Sequence, residues 1–466
     1  MKPENIRRLF GTDGIRGEAG KFPLDSQTIR TIGGSLARHL AEGISDRPPE
    51  IITGRDTRES GLWIERALIA GARDAGARVQ SAEIITTPGV AFLAHTMPAD
   101  AGVVISASHN PYQDNGIKVF DPSGRKLAEA TERRIEKDID DARRETARGD
   151  GPTDEPMELS DLGEQSSANL RAHYVDYLVD DVARGLSLNH LTMVVDCANG
   201  ASYELAPMLF ERLGARVVSI NNQPDGRNIN RDCGSLHIEG LQGRVLSEHA
   251  DLGVAFDGDA DRALFVDAGG NFVDGDATMW VLATYLKSRG ELTGDQVVAT
   301  VMSNIGLELA LRSRGIMLAR TNVGDKFVLD ELIRCEATLG GEQSGHIIFP
   351  KLSLAGDGMI TTIGLLRAMR DQNASLTDLT KGFQRYPQLL VNVRVRERRP
   401  FEDLPSVQKL AREVEASLGD RGRLLLRYSG TEPLARVMIE GESQPQIEAQ
   451  ARALADAIKS EIGADG

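Results

Sequence analysis

Met193-Val194-Val195 opens the stretch that decides the fold. It is followed by Tyr203–Leu213 and then by Gly214-Ala215-Arg216-Val217-Val218-Ser219-Ile220. The apolar trio reads as a buried strand and Tyr203–Leu213 as a helix. Gly214 reads as its stop, because glycine takes positive φ cheaply, and Val217–Ile220 as a second strand. The same rhythm stands upstream: Ile51-Ile52, a helix over Ser60–Ala75, Gly76, and a strand near Val79–Ile85. Gly-Ala-Arg-Val even recurs at 76–79 and 214–217. Downstream it returns as Val297–Met302, a helix over Ile305–Arg314, Gly315, and a strand near Met317–Thr321. Strand, helix, strand in this order predicts βαβ units. The expected fold is α/β: three similar α/β domains with mixed, largely parallel sheets.

Beyond Gly382–Gln388 the rhythm changes. Leu389–Val395 alternates like a strand, Leu404–Leu418 is helical, and Leu424–Tyr428 and Ala435–Ile439 look like strands. A last helix is expected over Gln446–Ile462, with Ile447, Leu454 and Ile458 on one face. This makes a smaller C-terminal α+β domain, and the four are expected around a central cleft. Gly124–Arg148 is dense in charge and reads as a solvated helix, followed by a linker over Ala147–Ser160. Ala268-Gly269-Gly270-Asn271 interrupts two apolar runs and reads as the next boundary. The expected domains are 1–157, 158–268, 269–385 and 386–466.

The 466 residues are 41% hydrophobic and 26% charged, which excludes a disordered or collagen-like chain. Lys and Arg total 54 against 69 Asp and Glu, a net charge of −15. So acidic a chain is a poor partner for nucleic acid or anionic membrane, while a local cation cluster can still hold a small anion. Cys197, Cys233 and Cys335 show no CxxC spacing, so a reducing, cytoplasmic setting is expected. Met1–Gly17 has no apolar signal core, and no run reaches the roughly 18 apolar residues of a membrane span.

Four segments could carry chemistry. Ser106-Ala107-Ser108-His109-Asn110-Pro111 follows the apolar strand Val103–Ile105. A serine past a strand end is placed for ligand work, although Ser, His and Asn also suit a turn that satisfies backbone groups. A hydrolase triad is not indicated: there is no G-x-S-x-G elbow, and adjacent Ser and His do not readily face each other. Asp257-Gly258-Asp259-Ala260-Asp261-Arg262 masses three carboxylates after Leu252–Phe256. Their repulsion calls for a cation, and hard oxygen ligands suit Mg²⁺, the alternative being an Asp-rich surface turn. An EF-hand is excluded, because Arg262 and Ala268 stand where Gly and Glu are needed. Gly340-Gly341-Glu342-Gln343-Ser344-Gly345-His346 suits close approach to sugar hydroxyls, and equally a tight turn between strands. Arg427-Tyr428-Ser429-Gly430-Thr431-Glu432-Pro433, with Arg436 beyond, suits an anion nest or a hairpin turn. No Walker A motif or GxGxxG is present. Taken together, the four suit phosphoryl transfer on a sugar phosphate.

With these segments in order, the chain resembles the α-D-phosphohexomutase superfamily over nearly its whole length. Phe10-Gly11-Thr12-Asp13-Gly14-Ile15-Arg16-Gly17 and Pro224-Asp225-Gly226-Arg227-Asn228-Ile229-Asn230 add to the likeness, which leans to the bacterial branch that acts on glucosamine phosphates. The resemblance implies that Ser108 is phosphorylated, and that Asp257, Asp259, Asp261 and a phosphoserine oxygen bind one Mg²⁺ per active site. Glu342 and Ser344 would read sugar hydroxyls. Arg427, Ser429, Gly430, Thr431 and Arg436 would hold the phosphate that is not reacting. Arg16, His109, Lys118, Arg262, Lys326 and His346 match positions near the reacting centre, with Lys118 as general acid/base or charge stabiliser. The implied reaction interconverts glucosamine 6-phosphate and glucosamine 1-phosphate through a hexosamine 1,6-bisphosphate intermediate, which is also the activator, and feeds UDP-N-acetylglucosamine and cell-wall precursor synthesis. The partner is a small-molecule sugar phosphate, and a homodimer is expected because relatives are often dimers. Tyr428 replaces a frequent Pro, Lys326-Phe327 a common Arg-Tyr, and Val119 a frequent Phe; none removes a group the reaction requires. The alternatives are a phosphomannomutase/phosphoglucomutase on the same scaffold, a metal-dependent sugar phosphatase, and a non-catalytic sugar-phosphate sensor.

Overall fold

The structure is a computed structural model, and it describes residues 8–147, 164–429 and 432–464. The expected linker therefore lies almost wholly outside the described residues. The chain divides into two compact units: Met1–Val301 with Ala319–Thr380, and Met302–Leu318 with Lys381–Gly466.

The first unit holds the first two repeats of the rhythm and most strands of the third, whose helix Ile305–Ser313 lies in the second unit. One sheet comprises β1 (Phe10–Gly11), β2 (Gly14–Glu18), β3 (Glu50–Arg55), β4 (Arg78–Ile84), β5 (Ala101–Ile105) and β6 (Asp114–Phe120), in the order β1-β2-β6-β5-β3-β4. β3 runs parallel to β4 and β5, while β5/β6 and β2/β6 are antiparallel. A second sheet comprises β7 (Thr192–Asp196), β8 (Arg216–Ile220), β9 (Leu252–Phe256), β10 (Ala263–Asp267) and β11 (Phe272–Val273), in the order β11-β10-β9-β7-β8. β7 is parallel to β8 and β9, and β9/β10 and β10/β11 are hairpins. A third comprises β12 (Gln296–Thr300), β13 (Met317–Thr321), β14 (Gly340–Gly341) and β15 (Ile347–Ile348), in the order β13-β12-β14-β15.

The sheets are mixed. Parallel pairing is confined to the βαβ units, because hairpins turn the chain back on the other side of each sheet. The helices of the rhythm are Gly61–Asp74, Leu205–Arg212 and Ile305–Ser313. Gly76, Gly214 and Gly315 follow them at φ 89°, 98° and 66°, the left-handed stop read from the sequence. Asp267–Asn271 forms a hairpin turn: Phe265 pairs with Val273, and Asp267 Oδ1 accepts the Gly269 and Asn271 N–H groups. The charged helix begins at Glu129, after a turn at Gly124.

The core below the serine loop is apolar. Leu36, Ile69, Ile105 and Ile117 are fully buried together, each contributing about 1.5–3 kcal/mol by leaving water. In the second unit β16 (Gln388–Arg394), β17 (Arg423–Tyr428) and β18 (Leu434–Glu440) form an antiparallel sheet in the order β16-β18-β17. Helices Pro405–Leu418 and Gln444–Ile462 cover it, burying Val414, Ile447, Leu454 and Ile458. Among the described residues, no helix is long and apolar enough to cross a membrane.

Candidate active site

Each of the four segments is the turn of an antiparallel hairpin. Ser108 lies between β5 and β6, the Asp triplet between β9 and β10, Glu342–His346 between β14 and β15, and Ser429 between β17 and β18. In the first unit three of these turns converge. Ser108, Asp257 and Asp259 are each no more than 1% exposed. The Ser108 hydroxyl donates to Asp257 Oδ2 at 2.5 Å. Ser108 also lies 3.3 Å from His109 Nδ1. The adjacent pair does meet, contrary to expectation, because Ser108 takes a left-handed backbone, φ 52°.

The carboxylates have diverged electrically. Burial, then Asp261 and Asp259, push Asp257 far above the ordinary carboxyl range. Burial would also raise Asp259, but the Lys118 ammonium at 2.9 Å and the Thr87 hydroxyl more than offset it and hold it low. Lys118, 1% exposed, would lose its proton by burial, yet Asp13 at 3.0 Å, Asp259 and Asp261 hold it charged, well above its usual value. Burial, then Arg262 and Arg16, bring His109 down to about 4, so its imidazole is neutral at pH 7.

The triplet fits a hard cation. Asp257, Asp259 and Asp261 each offer one oxygen within 4.8 Å of the others. Among the described residues, Asp259 Oδ1 and Asp261 Oδ1 are buried with no hydrogen-bond partner, a cost that an oxygen-seeking ion would remove. The family described below is generally Mg²⁺-dependent, in keeping with this donor set.

A cleft of about 440 Å³ opens beside the triplet, lined by Arg16, His109, Asp261, Arg262, Glu342 and His346. Glu342 accepts from the Gly324 N–H at 3.1 Å and from Ser344 Oγ at 3.2 Å, which fixes both candidate sugar contacts. His346 Nδ1 is buried and has no hydrogen-bond partner among the described residues. Lys326 lines the adjoining cavity of about 450 Å³ with Lys118. In the second unit Arg427 and Arg436 face each other in register across β17 and β18. Burial and then Arg436 push the Arg427 guanidinium down. Ser429 Oγ receives Arg436 at 3.3 Å. Gly430 and Thr431 lie outside the described residues.

Sequence reasoning missed several contacts. Asp13 binds Arg16, Lys118 and Lys126, and Lys126 bridges on to Asp325 at 2.5 Å. Thr87 and the buried Asp56, Arg58 and Asn230 also went unassigned. Asp13 and Asn230 stand inside motifs already quoted, so a signal existed; Lys126 stands in a charge-dense run that masks it.

The four domain models of phosphoglucomutase/phosphomannomutase match this chain in order: α/β/α domain I over residues 7–146, domain II over 172–270, domain III over 274–386 and the C-terminal domain over 390–457. The chain belongs to that family and is an enzyme of the mutase class. Its relatives narrow the likeness. The phosphoglucosamine mutase of Solibacter usitatus is 48% identical over 98% of this chain and 99% of its own length. That of Koribacter versatilis is 44% identical over 98% of each. A phosphoglucomutase/phosphomannomutase family protein of Burkholderia thailandensis superposes with a TM-score of 0.78 at 25% identity, covering 97% of each chain.

Proposed function

We propose that this chain interconverts glucosamine 6-phosphate and glucosamine 1-phosphate, with Ser108 carrying the phosphoryl group. The observation that carries the reading is the Ser108 hydroxyl, 2.5 Å from Asp257 in a buried carboxylate triplet, in a chain so close to phosphoglucosamine mutases. In the forward half-reaction the phosphoserine P–O bond breaks, a P–O bond forms to the free sugar hydroxyl, that hydroxyl gives up its proton, and the departing Ser108 Oγ takes one up to become a hydroxyl again. The product is a hexosamine 1,6-bisphosphate. After the sugar reverses, its other phosphate returns to Ser108.

The roles follow from charge and position. Asp257, Asp259 and Asp261 hold one Mg²⁺, which supplies positive charge to the phosphoryl oxygens when bound. Lys118, locked in its charged form, serves better as a charge stabiliser than as a base. His109, neutral beside Ser108, can accept a hydrogen bond. Arg16 and Arg262 supply cations to the cleft, His346 completes its polar wall, and Lys326 adds a cation in the adjoining cavity. Glu342 and Ser344 receive sugar hydroxyls. Arg427, Ser429, Gly430, Thr431 and Arg436 clamp the phosphate that is not reacting, a task for bidentate forks that tolerate either end of the sugar. Burial of Ser108 limits loss of its phosphoryl group to water.

The test assays one preparation on glucosamine, glucose and mannose 1-phosphates. Glucosamine is expected to lead. A preference of about tenfold or more in kcat/KM for glucose or mannose reverses the assignment. Net phosphate release without isomer formation makes it a phosphatase. Mass spectrometry of the Ser108 peptide is expected to show a phosphoryl adduct.

A further inference from the structure

Ser108 is gripped by its backbone at both ends. Its N–H donates to Ser106 Oγ at 2.9 Å, and Ser106 Oγ donates to Asp56 Oδ2 at 2.7 Å. Its carbonyl accepts from Arg58 Nη2 and from Asn230 Nδ2, each at 2.9 Å. The same two side chains reach the Asn110 carbonyl at 2.8 and 3.2 Å. Arg58 donates in addition to the carbonyls of Pro111 and Asp114. Its Nε pairs with Asp56 Oδ2 at 2.9 Å, and both side chains are wholly buried. One buried ion pair thus holds the serine through its N–H on one side and its carbonyl on the other. Gly258 closes the remaining side: a Cβ there would stand 2.5 Å from Ser108 O and 2.9 Å from Asn230 Nδ2.

A buried ion pair is costly, and apolar packing would often stabilise a core as well or better. Here the guanidinium donors go to the carbonyls of the serine loop. They hold a left-handed backbone, φ 52°, that a serine adopts only when its surroundings impose it. Asn230 comes from the segment between β8 and β9, so the grip also fixes the serine loop against the sheet that carries the Asp triplet.

We propose that Asp56, Arg58 and Asn230, with Ser106, form a positioning clamp that keeps the Ser108 backbone fixed while its Oγ gains and loses a phosphoryl group. The clamp rests on the phosphoserine reading above. In-line transfer in both directions needs the same Oγ position before and after the sugar reverses, and a misplacement of about 1 Å can cost about a hundredfold in rate. With both backbone ends held, side-chain rotation is the freedom left to Ser108.

Asn230→Gly is the cleanest probe. Asn230 itself has φ 57°, so glycine keeps the backbone and removes only the amide. The measurements are kcat and KM on glucosamine 1-phosphate, melting temperature, and the rate at which glucose 1,6-bisphosphate phosphorylates Ser108, read by intact mass. We expect kcat and the phosphorylation rate to fall about tenfold or more with KM within about twofold. Asn230→Asp, which turns a carboxylate toward two carbonyls, should fall further. Ser106→Ala reads the other end of the clamp, and Arg58→Lys, which keeps the charge and loses the fork, should recover only part of the rate. Parental kcat in Asn230→Gly and Ser106→Ala, with Ser108→Ala inactive, overturns the clamp alone. A rate loss matched by equal loss of folded protein also overturns it, since that marks a merely structural role. Turnover by Ser108→Ala overturns the phosphoserine reading instead.

Discussion

The serine–aspartate centre of the first unit and the arginine hairpin of the second are built on opposite electrical plans. Around Ser108 the charges are buried and already interlocked: Lys118 meets Asp13, Asp259 and Asp261 within 3.5 Å at 1% exposure. Across β17 and β18 two guanidiniums stand in register, partly exposed. Arg436 has Glu432 at 3.5 Å, while among the described residues Arg427 makes no salt bridge and reaches only Met302 Sδ at 4.0 Å. The difference teaches what each site lacks. The first carries a surplus of carboxylate oxygens, two of them with no hydrogen-bond donor among the described residues, and calls for a cation. The second carries a surplus of arginine and calls for an anion.

The comparison can be broken at its strongest point first. Ser108→Ala should lower turnover by about a thousandfold or more, since no other group carries the phosphoryl; wild-type-like turnover removes the centre from the chemistry. Lys118→Met leaves buried carboxylates uncompensated, so the melting temperature should drop by the equivalent of about 3–5 kcal/mol. Added Mg²⁺ should restore part of it, which calorimetry with and without the ion will read. Arg436→Ala should leave the melting temperature nearly unchanged and raise KM for glucosamine 1-phosphate about tenfold; an unchanged KM means the hairpin is no clamp.

Asp357 sharpens the role of burial away from the reacting groups. It caps helix Gly358–Gln372 and receives the Tyr174 hydroxyl at 2.7 Å, and burial raises it from 3.8 to about 6. The native state therefore holds this proton more tightly than the unfolded chain. Its stabilising contribution is full below pH 3.8 and is lost as pH rises through about 6. Asp357→Asn should then gain stability relative to the parent as pH rises from 4 to 7, by at most about 3 kcal/mol, read from melting temperatures across that range. A difference that stays flat with pH means that Asp357 does not titrate in this window.

The four segments read from sequence are where the hairpins turn, and the choice between turn and site was never exclusive. Glu342–His346 is a tight turn between β14 and β15 whose carboxylate fixes Gly324 and Ser344. Ser108 and His109 illustrate the limit. Sequence adjacency argued that they part, and one positive φ brings them to 3.3 Å.

Sequence alone determined the strand–helix rhythm with its glycine stops, the acidic triplet, the serine past a strand end and the paired arginines. These are local: periodicity, φ preference and charge density are carried by neighbouring residues. Only the tertiary structure decided which distant groups meet. It brought Asp13 and Asp259 to Lys118, and it placed Arg58 and Asn230 on one carbonyl 50 and 122 positions away. It also set the carboxyls apart, Asp257 high and Asp259 low. Burial and a single ammonium 2.9 Å away are properties of packing, and no spacing along the chain encodes them.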